Sequence, residues 1–128
     1  MMEIFEQTTE KKLIEPTYVT GMPKEVSPLA KDHRSIDGFT EHADLIIGGV
    51  EIAPCYSELN DPADQRQRFI EQAAARAAGD DTASPIDEDY VRALEYGLPP
   101  TGGLGIGIDR LVKLHADVQT IRDVVLFP

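Results

Sequence analysis

The sequence predicts an α+β domain built on an antiparallel β-sheet with flanking helices. A glycine pair at 48–49 lies between two arms rich in β-branched and apolar residues, which indicates a hairpin. Helical periodicity follows in residues 63–78 and 88–96, and again near 104–115. Strands with helices gathered between and after them are typical of this fold class.

The Gly48-Gly49 pair predicts a two-residue turn, because glycine accepts the positive φ that both turn positions require. Side chains alternate across a strand, so one face collects four apolar residues that belong in the core: Leu45, Ile47, Val50 and Ile52. The opposite face carries Asp44 and Glu51 as diagonal neighbours, about 5–8 Å apart. Two such carboxylates can hold Mg²⁺ together with a nucleotide phosphate. The alternative, an exposed face where both acids meet water, is favoured by the pattern alone.

Shorter signals surround the hairpin. Residues 17–20 predict a short strand, because they are β-rich and are bounded by proline and glycine. Residues 24–39 are polar and broken, which predicts a loop with a little helix at 28–31. Residues 124–127 are apolar and β-rich, and they predict a last, buried strand.

Three helices are predicted, and two of them have clear end signals. Asp61-Pro62 begins the first helix, since Asp is a good N-cap and Pro suits the first turn. Its apolar stripe consists of Phe69, Ile70, Ala73, Ala74 and Ala77. Asp87 caps the second helix, which ends at Gly97 and has an apolar side formed by Val91, Leu94 and Tyr96. The third helix begins near Leu104, after a turn at 99–103.

Residues 56–61 place Glu58 and an amide between the hairpin and the first of these helices. Such side chains can line a pocket, and they are also ordinary turn and cap residues. Strict alternation along the strand puts Glu58 on the opposite face from Glu51. The two acids can reach one site only if the strand is bulged or broken between them, and Pro54 is the obvious place.

The glycine-rich segment 102–110 is the second constellation of interest. Glycines at 102, 103, 105 and 107 allow a ligand or another backbone to come very close, and Arg110 could place a guanidinium on a phosphate. The spacing matches neither the dinucleotide fingerprint nor the Walker loop. The alternative is a glycine-containing helix packed on a sheet, with Arg110 as a surface ion-pair partner.

Composition restricts the partners and the compartment. The chain has 12 basic and 23 acidic residues and a formal net charge of -11, so by itself it should not bind RNA tightly through phosphates. No apolar run approaches the roughly 20 residues of a membrane span. The first twelve residues contain no apolar signal core, and a single cysteine agrees with a reducing compartment. We therefore expect a cytoplasmic protein with no membrane partner.

Four segments in order resemble one family. Residues 97–110 resemble motif 3 of the class II aminoacyl-tRNA synthetases, in its lysyl form, and residues 25–31, 56–61 and 120–128 are also similar to the lysyl branch. The resemblance implies that residues 1–128 are a C-terminal fragment of the synthetase catalytic domain. Motifs 1 and 2 and the anticodon-binding domain are then expected to be absent from it.

The resemblance also implies a reaction and a set of site residues. The family joins lysine to ATP as an adenylate and passes the lysyl group to tRNA(Lys). By resemblance, Arg110 is the catalytic contact to the γ-phosphate, Asp44 and Glu51 hold Mg²⁺ and ATP, and Gly105 also lies at the ATP site. Glu58 pairs with the ammonium group of L-lysine, and Tyr56 forms the pocket wall. Contact with tRNA(Lys) is expected only through segments missing here, and the full-length protein is expected to be a homodimer.

The sequence departs from the family pattern at several positions. Asp44 stands where the family usually has Glu, and Pro54 stands where it commonly has an Asn that helps to hold the substrate carboxylate. Ala43 replaces an aromatic residue, and Lys113 and His115 replace apolar ones.

Two other functions stay open at this point. One is a paralog of the same fold that lysylates a protein or a lipid. The other is a non-catalytic fragment that acts as a binding or regulatory module. Because the arginine of motif 2 is missing, we expect the isolated chain to be catalytically inert.

Overall fold

The computed structural model describes residues 2–80, 83 and 85–128, and it confirms the α+β fold class. Four strands form one antiparallel sheet in the order β1-β2-β3-β4. The strands are β1 (Thr17–Pro23), β2 (Phe39–Ile47), β3 (Val50–Ser57) and β4 (Gly102–Leu104). The helices are α1 (Met2–Thr8), α2 (Pro62–Ala77), α3 (Glu88–Glu95) and α4 (Ile108–Ala116). Single 3₁₀ turns lie at Glu10–Lys12, Lys24–Val26 and Ile121–Asp123.

The described residues form two compact units. The hairpin unit collects Met1–Thr20, Ala43–Cys55 and Leu104–Pro128, and the helical unit collects Gly21–His42 and Tyr56–Gly103. No helix in the described part of the chain has the length and apolarity needed to cross a bilayer.

The hairpin turn in the hairpin unit is confirmed. Gly48 and Gly49 have φ of 61° and 72°, as a type I′ turn requires. Their amides donate to the carbonyl oxygens of Ile14 and Leu13, both at 2.9 Å. The turn is therefore held by the segment that precedes β1 as well as by its own strands.

The predicted division of the hairpin into an apolar and an acidic face is only partly right. Ile52 is buried, but Ile46 and Ala53, assigned to the face of the acids, are buried as well. Ile47 and Val50 are only partly covered, because they line an open cleft of about 270 Å³ together with residues of α4. Both faces of the hairpin thus contribute to packing.

The chain around α4 differs from its prediction. The helix begins at Ile108 instead of Leu104, because the amides of Gly105 and Gly107 donate to the carbonyl oxygens of Pro54 and Ile52 and extend the pairing of β4 with β3. The predicted turn at 99–103 accordingly overlaps β4.

The predicted strand at 124–127 is wrong. The sheet ends at β1 and β4, and neither pairs with this segment among the described residues. Leu126 and Phe127 are 90% and 94% exposed. The apolar composition of the segment predicted a strand, but a strand also needs a neighbouring strand with a free edge for hydrogen bonding.

In the helical unit the predicted helix ends are confirmed, and the predicted stripe is only partly right, since Phe69 is buried. Asp61 accepts from the amides of Ala63 and Asp64, and Asp87 accepts from the amide of Tyr90. Ile70 is 47% exposed, and Ala74 and Ala77 are exposed too, whereas the buried face of α2 consists of Gln65, Arg68 and Phe69. Polar side chains occupy this face because they donate hydrogen bonds into the unit. Tyr96, predicted on the apolar side of α3, is also exposed.

The segment before β2 pairs with the end of β3 and does not form the predicted helix at 28–31. The amide of Lys31 donates to Ser57 O at 2.8 Å, and the amide of Leu59 donates to Leu29 O at 3.0 Å. Ala30 and Glu58 form an isolated antiparallel bridge. Residues 29–32 therefore act as a short extra strand beside Glu58, and we call them the 29–32 segment.

Candidate functional site

Arg110 contacts Glu51 within the hairpin unit. The first turn of α4 directs the guanidinium to β3, where Nη1 donates to Glu51 O at 2.7 Å and lies 3.7 Å from Glu51 Oε1. The side chains of Arg110 and Glu51 are 44% and 42% exposed, so both groups can reach a ligand. An arginine has five N–H donors, and one bond to a carbonyl leaves others for an anion.

The two residues predicted to hold Mg²⁺ both lie in the hairpin unit. Asp44 is half-buried on β2, and Glu51 follows the turn on β3. Among the described residues no group of three or more His, Cys, Asp or Glu side chains could hold a metal ion. Two carboxylates suit Mg²⁺ when phosphate oxygens and water complete the octahedron, because hard oxygen ligands are its usual partners. Their role in metal binding stays a prediction.

Two of the glycines give room to neighbours in the same unit. A Cβ on Gly105 would lie 3.3 Å from Pro54 Cγ, and a Cβ on Gly107 would lie 3.3 Å from Arg110 Cδ. The space that these two glycines leave is thus occupied by the side chains of Pro54 and Arg110. β3 continues through Pro54 as one strand, so the strand is not broken there, and the alternative of a bulge stays a prediction.

The predicted lysine-binding residue Glu58 lines a cavity of about 580 Å³ in the helical unit. Its other lining residues, most of them polar or charged, are Lys31, Asp32, Arg34, Glu41, Ser57, Pro100, Thr101 and Gly102. The backbone of Glu58 is fixed on both sides, by the bridge to Ala30 and by donation of its amide to Thr101 O at 2.9 Å. Its carboxylate lies against Gly103, and any Cβ at that position would overlap it.

Glu41, a second acid of this cavity, is neutralised by an arginine. Arg34 donates from Nε and Nη2 to the two carboxylate oxygens of Glu41, at 2.5 and 3.1 Å. Together with a hydrogen bond from Ser57, this fork lowers the pKa of Glu41 from 4.5 to about 2. The negative charge of Glu41 is therefore already paired.

Asp32, the third acid, is paired with two cations. Lys24 Nζ and Arg68 Nη2 lie 2.9 and 2.7 Å from its carboxylate oxygens. Glu58, in contrast, has no basic side chain at ion-pair distance in the part of the chain that the structure describes. Of the three carboxylates that line the cavity, Glu58 is the one open to an external cation.

Tyr56, the other predicted lysine contact, is stacked on a histidine. The ring centroids of His42 and Tyr56 are 4.4 Å apart with the planes tilted by 34°, and His42 Nδ1 lies 2.7 Å from Ser27 Oγ. Sequence reasoning missed Arg34, Glu41 and His42. Extending the hairpin register past Ala53 brings residues 41 and 42 beside Tyr56, and this signal could have found two of them.

The chain is similar to known proteins over almost all of its length. A model of the tRNA synthetases class II (D, K and N) matches residues 3–128. The chain belongs to this family. Its similar relatives include the lysine–tRNA ligase of Lactiplantibacillus plantarum, which is 61% identical over 97% of this chain and 25% of the relative. Those of Syntrophomonas wolfei and Gloeobacter violaceus are 59% and 56% identical, over 98% and 100% of this chain and 26% of each relative.

Membership in this family identifies the enzyme class of the chain, and the chain covers only part of the length of its relatives. By family the chain is an aminoacyl-tRNA synthetase sequence. It spans about a quarter of the length of the curated relatives that it matches. The family members' antiparallel sheet with flanking helices agrees with the fold described above.

The ion pair between Arg34 and Glu41 predicts how the unfolding free energy of the chain changes at acid pH. The pKa of Glu41 is lower in the folded chain than its ordinary 4.5, so its contribution to stability is present above pH 4.5 and is lost as the pH falls toward about 2. In Glu41→Gln we expect a lower unfolding free energy at pH 5 and a shallower decrease below it. Urea unfolding between pH 5 and pH 2 measures both.

Glu25→Gln, at an exposed carboxylate of the same unit, is the control and should keep the wild-type decrease. If the unfolding free energy of Glu41→Gln decreases below pH 5 as steeply as that of the wild type, the role assigned to the Arg34–Glu41 ion pair is contradicted.

Proposed function

We propose that this chain supplies part of the ATP and lysine site of a lysine–tRNA ligase. In this reaction the carboxylate of L-lysine attacks the α-phosphate of ATP, and the lysyl group then passes to tRNA(Lys). Residues 97–110 correspond to motif 3, and the chain forms the C-terminal part of the catalytic domain. The observation that supports the proposal best is the Glu58 carboxylate, which lies against Gly103 without a cationic partner among the described residues.

Charge is the physical basis of lysine recognition in this proposal. The cavity contains three acids, but Asp32 and Glu41 are paired with cations of the chain. Glu58 is the one acid of the three without an ion-pair partner among the described residues, and its negative charge can pair with the ammonium group of the lysine side chain. Lys31 of the chain, which also lines the cavity, donates to Asn60 Oδ1 at 3.1 Å. An ammonium–carboxylate bond inside a half-covered cavity is stronger than one in open solvent. Tyr56, which is stacked on His42, is not among the residues that line this cavity, so its proposed contact with the aliphatic part of the substrate would lie outside the cavity.

ATP binding in the proposal uses the hairpin unit. Arg110 contacts the γ-phosphate and stabilises the charge that develops on pyrophosphate as it leaves. Asp44 and Glu51 hold Mg²⁺, which neutralises phosphate charge when it is bound. Gly105 lies in the same unit, where the absence of a side chain makes room for Pro54 beside the proposed ATP site. These residues position and neutralise reactants, and no covalent intermediate with the chain is needed.

The remaining functions of the ligase belong to segments outside the matched quarter. Motif 2, whose arginine binds the α-phosphate, motif 1, which builds the homodimer, and the anticodon-binding domain are proposed to lie there. The net charge of -11 supports this division, because it disfavours tight RNA binding by these residues alone.

A chimaera tests the proposal. Replacing the matched quarter of the L. plantarum ligase with this chain should give an enzyme that catalyses ATP–pyrophosphate exchange only when lysine is present. In the chimaera, Glu58→Gln should raise the lysine KM about 10- to 100-fold, since a hydrogen bond to a charged group contributes about 1.5–3 kcal/mol.

Glu41→Gln is the matched control, because its carboxylate is already paired with Arg34. We expect it to change the lysine KM by only a few-fold. The unfused chain should show no exchange above background. Exchange supported by other amino acids, or a larger effect from Glu41→Gln than from Glu58→Gln, would contradict the assignment of lysine to Glu58.

Gly103→Ala gives an independent test of the same carboxylate. The added Cβ would overlap Glu58, whose flexible side chain can turn away, so we expect a small change in unfolding free energy but a clear loss of lysine affinity. Gly102→Ala is the matched neighbour, because its Cβ would lie 3.7 Å from Tyr56 O, an ordinary contact. Calorimetric titration of the chimaera with lysine should show a larger loss for Gly103→Ala than for Gly102→Ala, whose Cβ enters the lining of the cavity without meeting the carboxylate. Equal affinities of the two variants would argue against the position of the carboxylate.

A further inference from the structure

A buried arginine on α2 bonds the segment that lies beside Glu58. Arg68 is 3% exposed, and Nη1 donates to Ala30 O at 2.8 Å. Its Nη2 donates to Asp32 Oδ1 at 2.7 Å, and both Nε and Nη2 donate to the carboxylate of Asp64, at 3.1 and 2.8 Å. Two carboxylates offset the cost of burying this charge, and the guanidinium is held in one orientation.

The bonds of Arg68 to Ala30 and Asp32 place it one strand away from Glu58. Both acceptors belong to the 29–32 segment, and that segment is paired with residues 57–59. Ala30, which accepts from Arg68, is the residue that bridges to Glu58, and it is fully buried. The path from the guanidinium to the backbone of Glu58 thus contains a single intervening residue.

Other side chains on the same face of α2 bond the chain just before this segment. Gln65 Nε2 donates to Pro28 O at 3.2 Å, and Gln72 Nε2 donates to Glu25 O at 3.3 Å. Arg68 differs from these amides because it is charged and bonds residues on both sides of Lys31, whose amide donates to Ser57 O. It therefore fixes the part of the segment that borders Glu58.

We propose that Arg68 is a positioning residue that holds Glu58 in place through the 29–32 segment. This inference rests on the proposed function for its consequence, the binding of an ammonium group by Glu58, but its structural step is independent of that function. Lysine in place of Arg68 would keep the charge and lose the planar fork, so it could not bond Ala30 O and both carboxylates together.

Hydrogen exchange on the 128-residue chain tests the structural step. In Arg68→Lys we expect the amides of Lys31 and Leu59 to exchange about tenfold faster, because their acceptors lie in the pairing that Arg68 supports. The amide of Gln65, which donates to Asp61 O within α2, should exchange as in the wild type. Arg66→Lys is the matched control, since Arg66 lies on the exposed side of α2 and pairs with Glu88 at 2.6 Å.

Local acceleration in Arg68→Lys, absent from Arg66→Lys, supports the proposal. Unchanged exchange at Lys31 and Leu59 overturns it, because Arg68 would then not support the pairing. Equal acceleration at Gln65 also overturns it, because the substitution would then destabilise the whole unit and not the pairing in particular. If Arg68→Lys does not fold, Asp32→Asn decides the question, since it weakens one bond of the guanidinium at a half-exposed residue. Faster exchange at Lys31 and Leu59 supports the proposal in that variant, and unchanged exchange overturns it.

A lysine titration of the chimaeric enzyme, with the wild-type sequence of this chain or with Arg68→Lys, tests the functional consequence when it is followed by the ¹³C shift of the Glu58 carboxylate. If lysine moves this shift in the wild type, Arg68→Lys should require about tenfold more lysine for the same change. Equal affinity would overturn the functional part of the inference. If lysine leaves the shift unchanged in the wild type while the exchange result is positive, the proposed function of Glu58 fails and the positioning by Arg68 stands.

Discussion

The proposed recognition of lysine depends on one carboxylate whose backbone is held on both sides and which has no cationic partner among the described residues. Glu58 is held at its backbone by Ala30 on one side and by Thr101 on the other, and its side chain lies where Gly103 has no Cβ. An acid in a half-covered cavity favours a bound cation, since the pairing offsets the cost of its partial desolvation. The lining residues and the proposed ligand follow from this constraint.

The neighbouring ion pairs make that single charge selective. If Arg34 did not bond Glu41, and if Arg68 and Lys24 did not bond Asp32, the cavity would contain three unpaired acids. Like charges so close together would raise one another's pKa or would attract a more highly charged ligand. Pairing two of the three with arginine and lysine leaves a cavity suited to one ammonium group. Glu58 is then the one carboxylate of this cavity without an ion-pair partner among the described residues.

Local chemistry explains which parts of the fold the sequence could predict. The hairpin at Gly48-Gly49 and the caps at Asp61 and Asp87 depend on residues a few positions apart, so their patterns were sufficient. The buried face of α2 depends on partners distant in the chain, Ala30 and Asp32, which make Arg68 a core residue despite its charge. The segment 124–127 likewise has no strand to pair with, because the composition of a segment does not determine whether a neighbouring strand offers a free edge.

The site residues also divide into those that a short motif identifies and those that depend on distant parts of the chain. Glu58, Tyr56 and Arg110 could be named by resemblance, since short motifs contain them. The roles of Gly103 and of the Arg34–Glu41 pair could not, because they arise only when separate segments are brought together.

A double-mutant cycle between protein and ligand measures how strongly the Glu58 carboxylate interacts with the side-chain ammonium group of lysine. Lysine and norleucine, which has the α-ammonium group but lacks the side-chain ammonium group, would be titrated against the chimaeric enzyme and its Glu58→Gln variant. The account predicts a coupling free energy of about 2 kcal/mol between the carboxylate and the ammonium group. A coupling near zero, with lysine still preferred by the variant, would show that the charge recognised in this cavity is not that of Glu58.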